Sequence, residues 1–221
     1  MARLVDLSHE IRDGMITHPG IPAPQITTFL SHAESASRYA SGTTFEISRI
    51  DLVANTGTYV DTPAHRFPGG SDLSALPLER VANVPGRVIH RAGTDGPIEL
   101  TAQELGGAAG EAVLVRTDWD RFWGTEAYLA GNPFLTETAV RLVVDAGVAL
   151  LGIDSLNVDS LVDGRRPAHT ALLAAGIALV EHLTGLDALP QTGFRFFAVP
   201  PRIEGMATFP VRAFAIVDEA T

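Results

Sequence analysis

The sequence predicts an α/β fold, a single domain over residues 1–221 with helices packed on a mixed β-sheet. Three observations point there. The middle of the chain reads strand, helix, strand: AVLVR at 112–116, a helically spaced apolar set over 136–146, and VALLGI at 148–153, the pattern of a βαβ unit. The 21 Gly and 14 Pro cut the rest of the chain into short pieces, which favours strands over long helices. A chain of 221 residues that is 46% hydrophobic can bury a full core as one domain, two at most. It shows no composition break and no repeat of solenoid period.

Residues 4–7 form a short apolar piece, read as a strand. Residues 14–24, with His18, Pro19, Gly20, Pro22 and Pro24, are turn-rich and read as an irregular surface segment. Residues 43–53 (TTFEISRIDLV) are β-branched and partly alternating, hence a strand. Residues 55–63 (NTGTYVDTP) read as a loop, because Pro63 disfavours helix at Thr62. Residues 86–90 and 97–100 read as strands. Thr101 and Glu104 have the spacing of a capping box, so 101–105 is expected to start a helix. Thr136 serves as N-cap for the 136–146 helix, which Gly147 ends. Residues 169–175 and 177–183 are expected to be helical with a break at Gly176, and 194–199 and 211–217 are closing strands.

The formal charge of −10 argues against nucleic acid and anionic membrane as partners, since both need clustered Lys/Arg. The absence of cysteine excludes disulfides, thiolate zinc sites and cysteine nucleophiles. The N-terminus carries charges every few residues, unlike a signal peptide, and no apolar run approaches the ~20 residues of a membrane span. A cytoplasmic protein acting on a small molecule is the expectation. No Walker-type loop, G-x-S-x-G elbow or H-E-x-x-H is present.

Four features carry candidate chemistry. The segment 55–65 holds Asn55, Tyr59, Asp61 and His65, and a carboxylate four residues from an imidazole suits two metal ligands, or a ligand with a general base. An Asx turn with a surface histidine is the plainer alternative. His169 and Glu181 are twelve residues apart, about 18 Å on one straight helix, so they meet only if the chain bends at Gly176. Otherwise Glu181 is a solvated helix-face residue. Asp154 and Asp159 follow a buried strand, where sites and turn chemistry both occur. Trp119, Phe122 and Trp123 could line a pocket, pack in the core or form an interface.

Together these pieces resemble the cyclase family, which includes bacterial kynurenine formamidase and isatin hydrolase. The family fingerprint H-x-G-T-H-x-D-x-P-x-H meets N-T-G-T-Y-V-D-T-P-A-H at 55–65, with Gly57, Thr58, Asp61, Pro63 and His65 in place. DLSHEIRDGM, AVLVRTDW, LLGIDSLNVD, AHTALLAAGIALVEHLTGLDAL and PPRIEGMATFPVRAFAI resemble further family stretches in the same order. The resemblance implies a swivelling β/β/α fold, a homodimer or homotetramer, and hydrolysis of an amide or lactam C–N bond at two adjacent zinc or manganese ions. It implies one metal held by positions 55, 59 and 61, a second by Asp61, His169 and Glu181, and His65 as proton carrier. Here Asn55 and Tyr59 stand where the family has histidines, and a neutral phenol and an amide oxygen are poor transition-metal ligands. His18 stands where kynurenine formamidases have a substrate-contacting Trp.

Three functions follow. The first is a one-metal hydrolase using Asp61, His169 and Glu181, with His65 moving protons and Tyr59 donating to the oxyanion, while His18 and Asn55 contact substrate. The second is a metal-free cyclase or dehydratase with His65 and Tyr59 as its acid–base pair. The third is a non-catalytic member with a decayed metal site.

Overall fold

Alternation of side chains across the central strands builds two cores. The structure, a computed structural model, describes residues 2–218. In chain order its first elements are β1 (Ala2–Asp6), β2 (Gln25–Leu30), α1 (His32–Ser35), β3 (Ile47–Asp51), β4 (Tyr59–Asp61) and α2 (Pro63–Arg66). Next come β5 (Val84–His90), β6 (Pro97–Ile98), β7 (Ala112–Arg116), β8 (Phe134–Leu135), α3 (Glu137–Asp145) and β9 (Leu150–Ile153). The chain closes with α4 (Pro167–Ala174), β10 (Ala178–Glu181), β11 (Thr192–Phe197), β12 (Thr208–Pro210) and β13 (Phe214–Asp218).

Nine strands form one mixed sheet in the order β1-β13-β11-β5-β7-β9-β10-β4-β12. Its centre, β5-β7-β9-β10, is parallel, and both flanks are antiparallel. Along β7, Leu114 joins one core with Val60, Val180 and Phe196, while Val113 and Val115 join the other with Val140, Val143 and Leu172 from α3 and α4. Neighbours on a strand point to opposite faces, so both faces are apolar and both are covered. The sheet curls until its flanks approach: Ser8 bridges to Leu183, and Thr184 N donates to Leu7 O at 3.1 Å. This is the single α/β unit with a mixed sheet that the sequence predicts. Among the described residues no helix is long and apolar enough to cross a membrane.

Several elements differ from the sequence expectation. Residues 177–183 are not helical: Ala178–Glu181 is strand β10, paired with β9 and β4 and buried throughout. A short apolar run buried on both faces has no period that separates strand from helix. Gly176, at φ 68°, turns the chain from α4 directly into it. The capping box of Thr101 and Glu104 does form, with Thr101 N donating to Glu104 at 2.9 Å, but it closes a turn and not a helix. Within the expected loop 55–63, Tyr59–Asp61 is strand β4. The expected 43–53 strand shrinks to β3, which pairs only with β2 and is exposed along its length. Strands β2 and β12 and the two-residue β8 are not expected from the sequence.

Candidate active site

β4 and β10 lie side by side, and their register creates the site. Tyr59 and Asp61 are two apart on β4 and share a face, Glu181 on β10 stands opposite Tyr59, and Leu179 stands opposite Asp61. The approach to β4 depends on Gly57, whose φ of 66° favours glycine and whose N–H donates to Thr17 Oγ1 at 2.9 Å. That bond ties the irregular 14–24 segment, with His18, to the strand. Pro63 starts α2, one turn long, which carries His65 and Arg66. Pro167 starts α4, whose first free N–H groups are taken by Asp159: Ala168 N donates to Oδ1 at 2.7 Å and His169 N to Oδ2 at 3.0 Å.

Asp159 also accepts from His169 Nδ1 at 2.7 Å, which leaves Nε2 facing the site. That nitrogen is 3.8 Å from Asp61 Oδ2 and 3.8 Å from Glu181 Oε1. Glu181 is held on both oxygens, by Val158 N at 2.7 Å and by the Tyr59 hydroxyl at 2.6 Å. Asp61 is fully buried, and neither of its oxygens has a hydrogen-bond partner. His65 Nδ1 is 4.0 Å from Asp61 Oδ1, and the His65 and His169 rings are 5.7 Å apart. Asp61, His65 and His169 each offer a ligand atom within 4.8 Å of the others. A cavity of about 290 Å³ opens over them, lined by His18, Asn55, Tyr59, His65, His169 and Glu181 among others.

The electrostatics follow from this packing. Burial, and then the Glu181 charge, push the Asp61 carboxyl well above its usual range, with His169 pulling the other way. For His169 burial alone favours the neutral ring, but Glu181, the Asp159 hydrogen bond and Asp61 together raise it to about 9. Burial and the neighbouring His169 lower His65 to about 4, so its ring is neutral at pH 7. The Tyr59 hydroxyl is pushed up, by burial first and by Glu181 and Asp61 next.

The structure brings His18, Asn55, Tyr59, Asp61, His65, His169 and Glu181 around one cavity. Two carry a different burden from the one expected. Glu181 is a buried strand residue and not a solvated helix face, because β10 replaces the helix. The Tyr59 hydroxyl, expected to face an oxyanion, donates a hydrogen bond to Glu181, the carboxylate that its register places opposite. Asn55 Oδ1 accepts from Thr208 on β12 at 3.2 Å. Asp159 was visible as an acid after a buried strand, and its task of orienting His169 becomes clear only here. Asp154 instead accepts from Thr117 N and Oγ1, at 2.8 and 2.6 Å, away from the site.

The aromatic cluster is half-buried and lies outside the cavity of the site. Trp123 stacks on His9 with ring centroids 3.9 Å apart and meets Tyr128 and His182 edge-on. His182 is buried, with Nδ1 2.8 Å from the Tyr128 hydroxyl, and no spacing in the sequence pointed to it. Burial lowers His9 to about 4 against a raising effect of Asp120. Below pH 6.5 the unfolded chain protonates this histidine and the folded one resists. Wild type should therefore lose on the order of 1 kcal/mol per pH unit between 6.5 and 4 relative to His9→Phe, which keeps the stack. Urea midpoints of both proteins across that range check this; parallel curves would contradict it.

The cavity ends on the buried carboxylate of Glu181 beside the imidazoles of His65 and His169, the arrangement of a candidate catalytic pocket. Residues 5–160 match the family described as "Putative cyclase", and the chain belongs to this family. Kynurenine formamidase of Salinibacter ruber is 31% identical over 211 residues, covering 95% of each chain. Kynurenine formamidase of Paracidovorax citrulli is 32% identical over 177 residues, 76% of this chain and 78% of that one. Among solved structures, isatin hydrolase A from Labrenzia aggregata, bound to benzyl benzoate, is 25% identical with a TM-score of 0.81, over 99% of this chain and 94% of that one.

Proposed function

We propose that this enzyme hydrolyses an amide or lactam C–N bond in a small molecule, using one divalent cation, zinc or manganese, held by Asp61, His169 and Glu181. The carrying observation is Asp61: a fully buried carboxylate with two unpartnered oxygens is costly unless a cation completes it. The donor set fits, because two carboxylates and an imidazole whose far nitrogen is fixed by Asp159 suit a catalytic metal. The positions of Asn55 and Tyr59 offer no comparable ligands, so a second ion has no site of the same quality. The kynurenine formamidase and isatin hydrolase relatives support the reaction class.

A bound cation supplies Lewis acidity that polarises the scissile carbonyl and acidifies water. Val158 N and the Tyr59 hydroxyl fix the Glu181 carboxylate, and Asp159 fixes the His169 ring. His65, neutral and at the cavity wall, accepts a proton from the attacking water at its ring nitrogen. It returns that proton to the leaving nitrogen as the C–N bond breaks. His18 and Asn55 face the same cavity as substrate contacts. The alternative of a metal-free cyclase with a His65–Tyr59 pair loses its acid, since the Tyr59 proton is committed to Glu181.

Chelated protein should lose hydrolysis of N-formyl aryl amides and lactams, and one equivalent of zinc or manganese should restore it. Full activity after exhaustive chelation would overturn the reading in favour of metal-free chemistry. No turnover of any amide, lactam or lactone, with or without metal, would favour a non-catalytic role.

We further expect a cytoplasmic homodimer or homotetramer. The β2–β3 ribbon leaves the main sheet and exposes Ile26, Phe29, Ile47 and Ile50, with Phe29 at 70% exposure, a surface suited to a second copy. Phe29→Glu with Ile50→Glu should shift the mass in solution to that of one chain, as light scattering would show. An unchanged mass would place the contact elsewhere.

A further inference from the structure

We infer that the substrate carries a carboxylate, recognised by Arg66 and Arg166 at the mouth of the same cavity; this rests on the hydrolase reading above. Both side chains line the cavity over the His65–His169 floor. The acidic groups lie deepest, Asp61 and Glu181 being fully buried, while Arg166 is half-buried and Arg66 exposed. A chain of net charge −10 thus places two cations at the entrance of its own pocket.

Neither guanidinium is used up by the protein. Among the described residues neither makes an ion pair with a carboxylate, whereas the adjacent Arg165 pairs with Glu137 at 2.9 Å and Asp163 at 2.8 Å. Each is nevertheless anchored. Arg66 Nε donates to Thr170 Oγ1 at 2.9 Å, and its guanidinium lies 5.4 Å from the Phe67 ring centroid. Arg166 Nη1 donates to Ser160 O at 3.1 Å. Those anchors leave both terminal nitrogens of Arg66 and two nitrogens of Arg166 as donors, on side chains already partly ordered. A guanidinium fork matches a planar carboxylate, and pre-ordering reduces the entropy lost on binding. Arg166 also holds a φ of 51°, a left-handed conformation costly for a side-chain-bearing residue and natural for glycine.

A carboxylate bound by the arginines fixes one end of the molecule and directs the scissile bond inward, toward His65 and His169.

The test compares N-formylanthranilate, which carries the carboxylate, with formanilide, which lacks it, on metal-loaded wild type, Arg66→Met and Arg166→Met. Benzoate and benzamide binding are measured by calorimetry on the same proteins. Wild type should prefer N-formylanthranilate at least tenfold in kcat/KM, and each substitution should cut that preference at least tenfold, mainly through KM. Benzoate should bind more tightly than benzamide, and the substitutions should abolish the difference. Unchanged substrate preference and benzoate affinity in both variants would overturn the inference while leaving the hydrolase reading intact. If neither formamide is turned over but the variants lose benzoate, the anion site stands and the hydrolase reading falls. Wild type favouring formanilide, or binding benzamide as well as benzoate, would also overturn the inference.

Discussion

Asp61→Asn is expected to empty the metal site and yet leave the metal-free chain harder to unfold. The first effect follows from position, since Asp61 has the only fully unpartnered buried carboxylate among the described residues, 3.8 Å from the free nitrogen of His169. Loss of a charged ligand should weaken zinc or manganese by at least about 100-fold and remove activity with it. The second effect follows from burial. Without a cation the charges acting on the carboxylate are those of Glu181 and His169, and its charged form is disfavoured by lost solvation. A neutral amide of the same shape relieves that cost and should raise unfolding free energy in chelator by about 1–3 kcal/mol. Metal content, turnover and urea titration in chelator read all three. A variant that is less stable without metal and equally active with it would mean that Asp61 is a packing residue.

His65→Ala separates proton transfer from metal binding. The imidazole is beside the cluster but on α2, a different element from those carrying the other groups. Its removal should leave one ion per chain and lower turnover by about 10²–10⁴-fold, the usual worth of a positioned general acid–base group. Added imidazole should recover part of the rate, because the vacated space opens on the cavity. The geometry also allows His65 to be a ligand, since its ring nitrogen, one from His169 and a carboxylate oxygen of Asp61 fall within 4.8 Å. Loss of the metal in His65→Ala would assign it that role and leave the proton carrier to be found elsewhere.

Much of this was legible in the sequence. The βαβ centre was readable because 112–116 and 148–153 are short, aliphatic and bounded by turns, and because Thr136 and Gly147 mark both ends of α3. Asp61 and His65 were readable from their spacing on either side of Pro63. The pairing of His169 with Glu181 was not, because it needs the chain to reverse at Gly176 and enter a strand. The run ALVE is buried on both faces and has no period of its own. The Tyr59–Glu181 bond and the Asp159–His169 clamp were hidden for another reason. They are set by sheet register and by a loop folding onto a helix start, and neither leaves a local pattern. Nothing in the sequence marks Arg66 and Arg166, because an arginine in a polar stretch looks like surface until the cavity beneath it is seen.

Crystals of the zinc-loaded enzyme, with diffraction recorded on both sides of the zinc absorption edge, would locate every bound ion directly. One anomalous peak per chain, within coordinating reach of Asp61, His169 Nε2 and Glu181, is the result expected. No peak there, or a peak beside Asn55 and Tyr59 instead, would contradict the one-cation site.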